Sequence, residues 1–197
     1  MHGLMNRAVQ CFVRDTYGPQ VWAEVVLRAD IGFDNFEAMF SYDDRTTFCV
    51  LDTVCEMRAK PRDALLEDIG IYLVSHPNVE ALRRLLRFGG AGFSDFLHSL
   101  DDLHDRAKLA VPDLELPRLE LRGHTADMFT LSVTSPHAGF GNVMVGVLQA
   151  MADDYGALAL LEFKGRRQSV ETIEIQILEA SFAEGRSFEL ASPVVAS

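Results

Sequence analysis

The spacing of apolar residues changes once along this chain, near residue 112, and that change limits its fold more than any single motif does. Up to Pro112 the apolar positions recur at helical intervals, the stripe of a helix buried on one side. The pattern predicts a helix over 3–17 stopped by Gly18, then a second opened by Pro19 and running through Trp22, Val25 and Val26. Proline is suited to a first turn because the N–H it lacks has no partner there. Further helices are expected at about 44–59, where Phe48, Leu51 and Cys55 align, at 62–75 after Pro61, at 78–88 before Gly89-Gly90, and at 92–107. Beyond Pro112, Phe129, Leu131 and Val133 alternate with polar residues, as do Ile173, Ile175 and Ile177; that is the period of strands covered on one face. Between them Phe140, Val143, Met144, Val147, Leu148 and Met151 form one helical stripe, and Phe163-Lys164-Gly165-Arg166-Arg167 reads as the turn of a hairpin. The last dozen residues are expected to be loosely held.

A chain of 197 residues that is 48% hydrophobic can bury one sizeable core, or two small ones sharing an interface. No apolar run approaches the roughly 20 residues of a membrane helix, and the stretch Met1–Arg7 lacks a signal peptide's apolar core, so a cytoplasmic protein without membrane contact is expected. A formal charge of −11 repels phosphate backbones, and the basic cluster Arg83, Arg84 and Arg87 reads as the wet face of a short helix; nucleic acid is therefore not an expected partner. Cys11, Cys49 and Cys55 are odd in number and not spaced as zinc ligands or a redox pair, so they read as reduced packing residues. No phosphate-binding glycine loop, nucleophile elbow or paired-histidine zinc helix is present, and nothing points to an enzyme.

His104 is the most informative single residue. In the 92–107 helix the apolar positions 93, 96, 97, 100, 103 and 107 form one stripe, and His104 falls inside it, while His98 shares the opposite face with Asp101, Asp102 and Asp105. A buried neutral imidazole needs partners for two ring nitrogens. Those partners are either two protein groups, the commoner arrangement, or a protein group and a metal. The His98 and aspartate face could ligate a divalent cation, but a solvated polar face is the commoner meaning of such a row.

The opening Met1-His2-Gly3-Leu4-Met5-Asn6, the Asp15-Thr16-Tyr17-Gly18 stop and the run Phe96-Leu97-His98-Ser99-Leu100-Asp101-Asp102-Leu103-His104 resemble the haem-nitric oxide/oxygen-binding (H-NOX) family, which includes the haem domains of soluble guanylate cyclase. The resemblance covers residues 1–180. It implies an α+β fold: a helical part over about 1–112, a β-β-α-β-β antiparallel sheet part over about 113–180, a ligand pocket between them, and a C-terminal tail over 181–197. It also implies haem b, with His104 as the axial ligand of iron and Pro117 pressed against the porphyrin. One ring nitrogen of a histidine can take iron while a backbone carbonyl holds the other.

The sequence departs from the family at two places. The propionate-binding motif Y-x-S-x-R falls on Val133, Ser135 and His137, so only the serine remains. An arginine grips a carboxylate through two permanently charged donors, whereas His137 offers one, in part of the pH range, and Val133 none. Haem retention should be weakened. On the distal side the positions that match the family's ligand pocket are Met5, Val9, Leu73, Asn142 and Gly146, with Asn142 where oxygen-binding members carry a tyrosine. Asn142 is the substitute donor, and Gly146 is expected to leave room beside it. Without the tyrosine, nitric oxide and carbon monoxide should be favoured over oxygen. The leading expectation is a bacterial gas sensor in which gas binding loosens the His104 bond and the signal passes to a separate histidine kinase or diguanylate cyclase. A haem-free signalling or scaffold protein, or a binder of another apolar ligand, is the alternative; a metal-dependent hydrolase on the His98 face has little behind it.

Overall fold

The computed structural model describes residues 1–187, Ala110 by its backbone alone. The helical stretch opens with α1 (Gly3–Tyr17), whose first turn is capped by His2, its Nδ1 accepting from Leu4 N at 3.2 Å. Gly18 ends α1 at φ 96°, a conformation costly for a residue with a Cβ, and the next residue opens α2 (Pro19–Ala29). Then come α3 (Asp44–Arg58), capped by the Asp43 carboxylate, and α4 (Arg62–Ser75) behind Pro61. The expected 78–88 helix is a 3₁₀ turn, Pro77–Val79, leading into α5 (Glu80–Arg87).

The expected single helix over 92–107 is two: α6 (Phe93–His98) and α7 (Leu103–Ala110). At the break the Ser99 hydroxyl donates back to Phe96 O at 2.7 Å, and Asp101 turns away to accept Leu121 N at 2.7 Å. Short polar side chains that bond nearby backbone compete with helix continuation in this way. His98 is still exposed and His104 half-buried, so the two histidines differ as the spacing implied.

The remaining elements are β1 (Arg118–Gly123), β2 (Met128–Thr134), α8 (Phe140–Tyr155), β3 (Leu158–Arg167) and β4 (Val170–Glu179). The strands form one antiparallel sheet in the order β1-β2-β4-β3. The segment Phe163–Arg167 is not a turn but the end of β3, where Gly165 at φ 97° accompanies a shift in register; the chain reverses at Gln168-Ser169, with Gln168 at φ 55°. A bulge glycine and a hairpin glycine look alike in sequence.

Packing divides elsewhere than secondary structure does. One core joins α1 to α4 through Phe12, Val25, Phe36, Val54 and Leu65; the other gathers Leu86, Phe96 and Leu100 under the sheet with Leu131, Leu148 and Ile173. The segments holding α5 and α6 thus belong to the sheet's core, although they precede residue 112. Nor is the arginine cluster simply wet. Arg83 Nε donates to Asp154 at 2.9 Å, Arg87 lies 3.5 Å from the same carboxylate, and Asp154 is only 1% exposed. A buried carboxylate needs such partners. Residues 182–187 fold back over this corner, with Phe182 and Ala183 donating to Gly156 O and Arg186 to Asp154 O; residues 188–197 of the expected tail lie outside the described residues. Among the described residues no helix is long and apolar enough to cross a membrane.

The two cores meet where α4 crosses α8. A methyl at Gly70 would stand 2.1 Å from Val143 O, and one at Gly146 2.0 Å from Glu67 O. Gly146 therefore leaves no room beside it: the backbone of α4 fills the space its missing side chain vacates. Overpacking of this kind costs about 1–3 kcal/mol, and more where only backbone can yield. Gly146→Ala and Gly70→Ala should each lower the urea midpoint by at least that equivalent, whereas Gly123→Ala, whose methyl would meet Phe129 at an ordinary 3.7 Å, should leave it nearly unchanged. Equal midpoints for Gly146→Ala and Gly123→Ala would show that the crossing can relax.

Candidate functional site

Two adjoining cavities lie where α1, α3, α4 and α8 face the loops beside the sheet, and Met1, His137 and Phe140 line both. The first, about 110 Å³, is walled by Met5, Val9, Leu73, Phe48, Leu51 and Val143 among others, nearly all apolar. The second, about 320 Å³, is polar: Leu116, Pro117, Ser135 and His137 share its lining with the carboxylates of Asp44, Asp113 and Glu115.

The sequence candidates fall into three groups. Met5, Val9 and Leu73 line the apolar cavity, and Pro117, Ser135 and His137 the polar one, with His137 common to both. His104 lines neither, but its Nδ1 lies 3.1 Å from the carbonyl of Leu116, next to Pro117 on the polar cavity's wall. A carbonyl only accepts, so Nδ1 carries a proton, and in the neutral ring the lone pair then lies on Nε2. Val133, Asn142 and Gly146 line neither cavity. Val133 is 0% exposed on the sheet's inner face, because β2 alternates and position 133 is in phase with Leu131 and Phe129. The Asn142 amide is directed to Glu67, whose Oε1 accepts from Nδ2 at 3.4 Å. It is thus not the cavity donor expected from the sequence.

The segment carrying Ser135 and His137 is held from two sides. Glu171 on β4, 3% exposed, accepts from Gly139 N with one oxygen and from Gly141 N with the other, both at 2.7 Å. These are free N–H groups at the start of α8, where the helix dipole also favours a negative charge. Arg166 on β3 donates to the carbonyls of Ser135 and Pro136 at 3.2 and 3.1 Å. The Ser135 hydroxyl accepts from His137 N at 3.1 Å, completing a tight turn. Sequence reasoning missed Glu171, yet a signal existed: it stands in phase with Ile173, Ile175 and Ile177, a charge in a row of buried positions.

His137 itself is shared. Its Nε2 lies 3.4 Å from Asp44 Oδ2, and its ring meets the edge of Phe48 at 5.9 Å between centroids. Asp44 also takes the terminal ammonium of Met1 at 2.5 Å. That hydrogen bond, with the nearby His137 adding to it against some desolvation, holds the Asp44 carboxyl below its ordinary range. The arrangement provides an apolar chamber, a polar mouth lined by Asp44, Asp113 and Glu115 as well as His2 and His137, and the His104 imidazole behind that mouth's wall. Among the described residues no group of three or more histidine, cysteine or acidic side chains could hold a metal ion, and the His98 face is not such a group.

Known proteins resemble this chain in sequence and in fold. The soluble guanylate cyclase gcy-31 of Caenorhabditis elegans is 22% identical over 154 residues, covering 78% of this chain and 22% of that protein; the soluble guanylate cyclase 89Da of Drosophila melanogaster is 21% identical over 160 residues, 81% and 24%. The chain thus spans less than a quarter of the length of these relatives. Among solved structures, an unliganded Fe(II) H-NOX protein from K. algicida superimposes with a TM-score of 0.77 at 16% identity, covering 96% of this chain and all of that one. An H-NOX protein from S. oneidensis in the Fe(II) state gives 0.78 at 16%, covering 92% and 98%. The fold is therefore that of H-NOX domains, a helical part followed by a four-stranded antiparallel sheet part. The profile of the Haem-NO-binding family matches residues 2–159, and the chain belongs to that family.

Proposed function

We propose that this chain is a haem-based gas sensor whose axial ligand is His104. The observation that carries this is the bond from His104 Nδ1 to the Leu116 carbonyl, which leaves Nε2 as a neutral nitrogen donor on a short helix. Bound haem would supply the iron at which a diatomic gas is held. The residues that fit it are His104 for the metal, Pro117 for the ring, and the apolar wall of Met5, Val9 and Leu73 for the gas. The propionate end fits less well: Ser135 and His137 face it in company with Asp44, Asp113 and Glu115, and Val133 is sealed in the sheet core. The chain's grip on haem b is accordingly weaker than a Y-x-S-x-R motif gives.

An apolar chamber favours neutral nitric oxide and carbon monoxide over oxygen, whose bound form carries partial negative charge and needs a donor. Displacement of His104 would be felt first by α7, which packs on β1, and by the Leu116 carbonyl just before that strand. We infer that the domain 1–180 acts as a sensor rather than a catalyst, with output to a histidine kinase or diguanylate cyclase. The acids at the mouth favour one second reading: a haem-free member whose chamber holds another apolar ligand.

Two measurements separate these. His104→Gly should lose the Soret absorption after haem reconstitution, or regain it only with added imidazole, while the exposed His98→Ala keeps it; no Soret band in the wild type supports the haem-free reading. His137→Arg adds charge-assisted donors worth about 1.5–3 kcal/mol at the propionate end. It should slow haem transfer to an acceptor protein by roughly ten- to a hundredfold, since 1.4 kcal/mol is a factor of ten. Val133→Tyr, by contrast, should destabilise the fold without slowing transfer, because it forces a ring into a filled core. Transfer unchanged in His137→Arg would remove position 137 from the propionate site.

A further inference from the structure

Residues 93–110 contain no glycine or proline and carry one apolar row suited to a continuous helix, yet the helix breaks between α6 and α7. The break is mild. Ser99 (φ −78°, ψ −9°) and Asp102 (φ −91°, ψ −4°) stay in the right-handed region. Leu100 N and Leu103 N each bond the carbonyl three residues back, Leu97 O and Leu100 O, both at 3.1 Å. A change of roughly 35° in ψ at such residues restores α-helical geometry. The Ser99 hydroxyl bond to Phe96 O is of a kind that bends helices without ending them. Two hydrogen bonds tie the break to the chain around β1: Asp101 Oδ1 accepts Leu121 N at 2.7 Å, and His104 Nδ1 meets Leu116 O at 3.1 Å.

In an uninterrupted helix His104 would follow Leu100 by four residues and lie over it, in the row of Leu97, Leu100 and Ala107, all buried. In the broken helix it is half-buried and meets a carbonyl instead. We infer that Asp101 is the positioning residue of His104. Its bond to Leu121 N holds the helix open, and the opening takes the imidazole out of the apolar row to Leu116 O, which fixes Nδ1 and leaves Nε2 as the donor. A carboxylate suits the task, because it accepts an N–H more strongly than a neutral oxygen does. Leu121 N suits it too, since β1 is an edge strand with β2 on one side only. Without this bond the helix closes, Leu121 N–H returns to solvent and His104 leaves Leu116. The consequence at iron rests on the reading of His104 as the axial ligand; the placement of the ring is a property of the chain itself.

The test accordingly has a haem-free and a haem-loaded arm. In the first, nuclear magnetic resonance of the haem-free protein follows amide exchange at 100–103 and at Leu121, the Cα shifts of 99–102, and the Nδ1 proton of His104, which is visible only while it is hydrogen-bonded. In Asp101→Ala, Leu121 should exchange roughly ten- to a hundredfold faster, the equivalent of one bond to a charged acceptor. The Cα shifts of 99–102 should become helical, the amides of 100–103 should exchange more slowly, and the His104 proton should vanish. Asp101→Asn, which keeps an acceptor oxygen, and Asp102→Ala, which removes only a neighbouring charge, should both lie close to the wild type. Asp101→Ser, too short to reach Leu121, repeats the test if the alanine variant does not fold. In the second arm, resonance Raman of the ferrous protein should show a lower iron–histidine stretching frequency in Asp101→Ala, because an imidazole whose Nδ1 no longer donates is a less basic ligand, and the wild-type frequency in Asp101→Asn. A faster Leu121 amide with the His104 proton and the 99–102 shifts unmoved overturns the inference, reducing Asp101 to a cap on the sheet edge. Folded protein that takes up no haem overturns the proposed function, while the haem-free arm still decides the inference.

Discussion

The contact of α4 with α8 through Gly70 and Gly146 sets the position of everything around the ligand chamber. Each glycine lets the partner helix's backbone approach where a methyl group could not fit. From that crossing α4 presents Leu66, Ile69 and Leu73, and α8 presents Phe140 and Val143, to the same space. The helical core and the sheet core are thereby fixed to each other at one rigid point, while α1 and α3 close the chamber from the far side. A chamber built this way has its volume determined by backbone separation more than by the choice of side chains. That is why the side chain missing at Gly146 adds no room to it.

The second constraint is the carboxylate of Glu171. It reaches from β4 to the start of α8 and takes two N–H groups that the helix cannot satisfy itself, while Arg166 from the neighbouring strand holds the carbonyls just before them. The sheet thus dictates the path of residues 135–139, and so where Ser135 and His137 stand. The segment on which the sequence resemblance places a propionate motif is thus firmly braced. Substitution at position 137 accordingly alters chemistry with little change of backbone.

What could be read from the sequence was what neighbours in sequence decide. Gly18-Pro19 and Pro61 punctuate helices through their own backbone preferences, and the alternation in β2 and β4 is a property of each strand alone. The break between α6 and α7 depends on Asp101 bonding Leu121 N, twenty residues on, and no periodicity within 92–107 contains it. The arginines of α5 looked solvated because Asp154 is some seventy residues away. Asn142 and Gly146 stand on α8, but what they touch is Glu67 and the backbone of α4, which only the crossing brings near. His104 lay between these cases: its burial followed from the stripe, and its carbonyl partner came from the connection to β1.

The electrostatics of the two cavities bear on how firmly a dianionic cofactor is held. A charge-assisted hydrogen bond contributes about 1.5–3 kcal/mol, and a like charge nearby takes back part of that gain, less where solvent screens it. Asp113 and Glu115 are exposed and largely screened, so on the proposed reading the balance would turn on Asp44, which stands 3.4 Å from His137. The terminal ammonium neutralises part of that carboxylate, but His137 is still divided between an internal acid and any external one. On the proposed haem reading the net grip at this end would be small, and the His104 nitrogen and apolar contact would be the main attachments. A cofactor held in that way would pass most of its displacement to α7, which carries His104, and to the strand that α7 packs on.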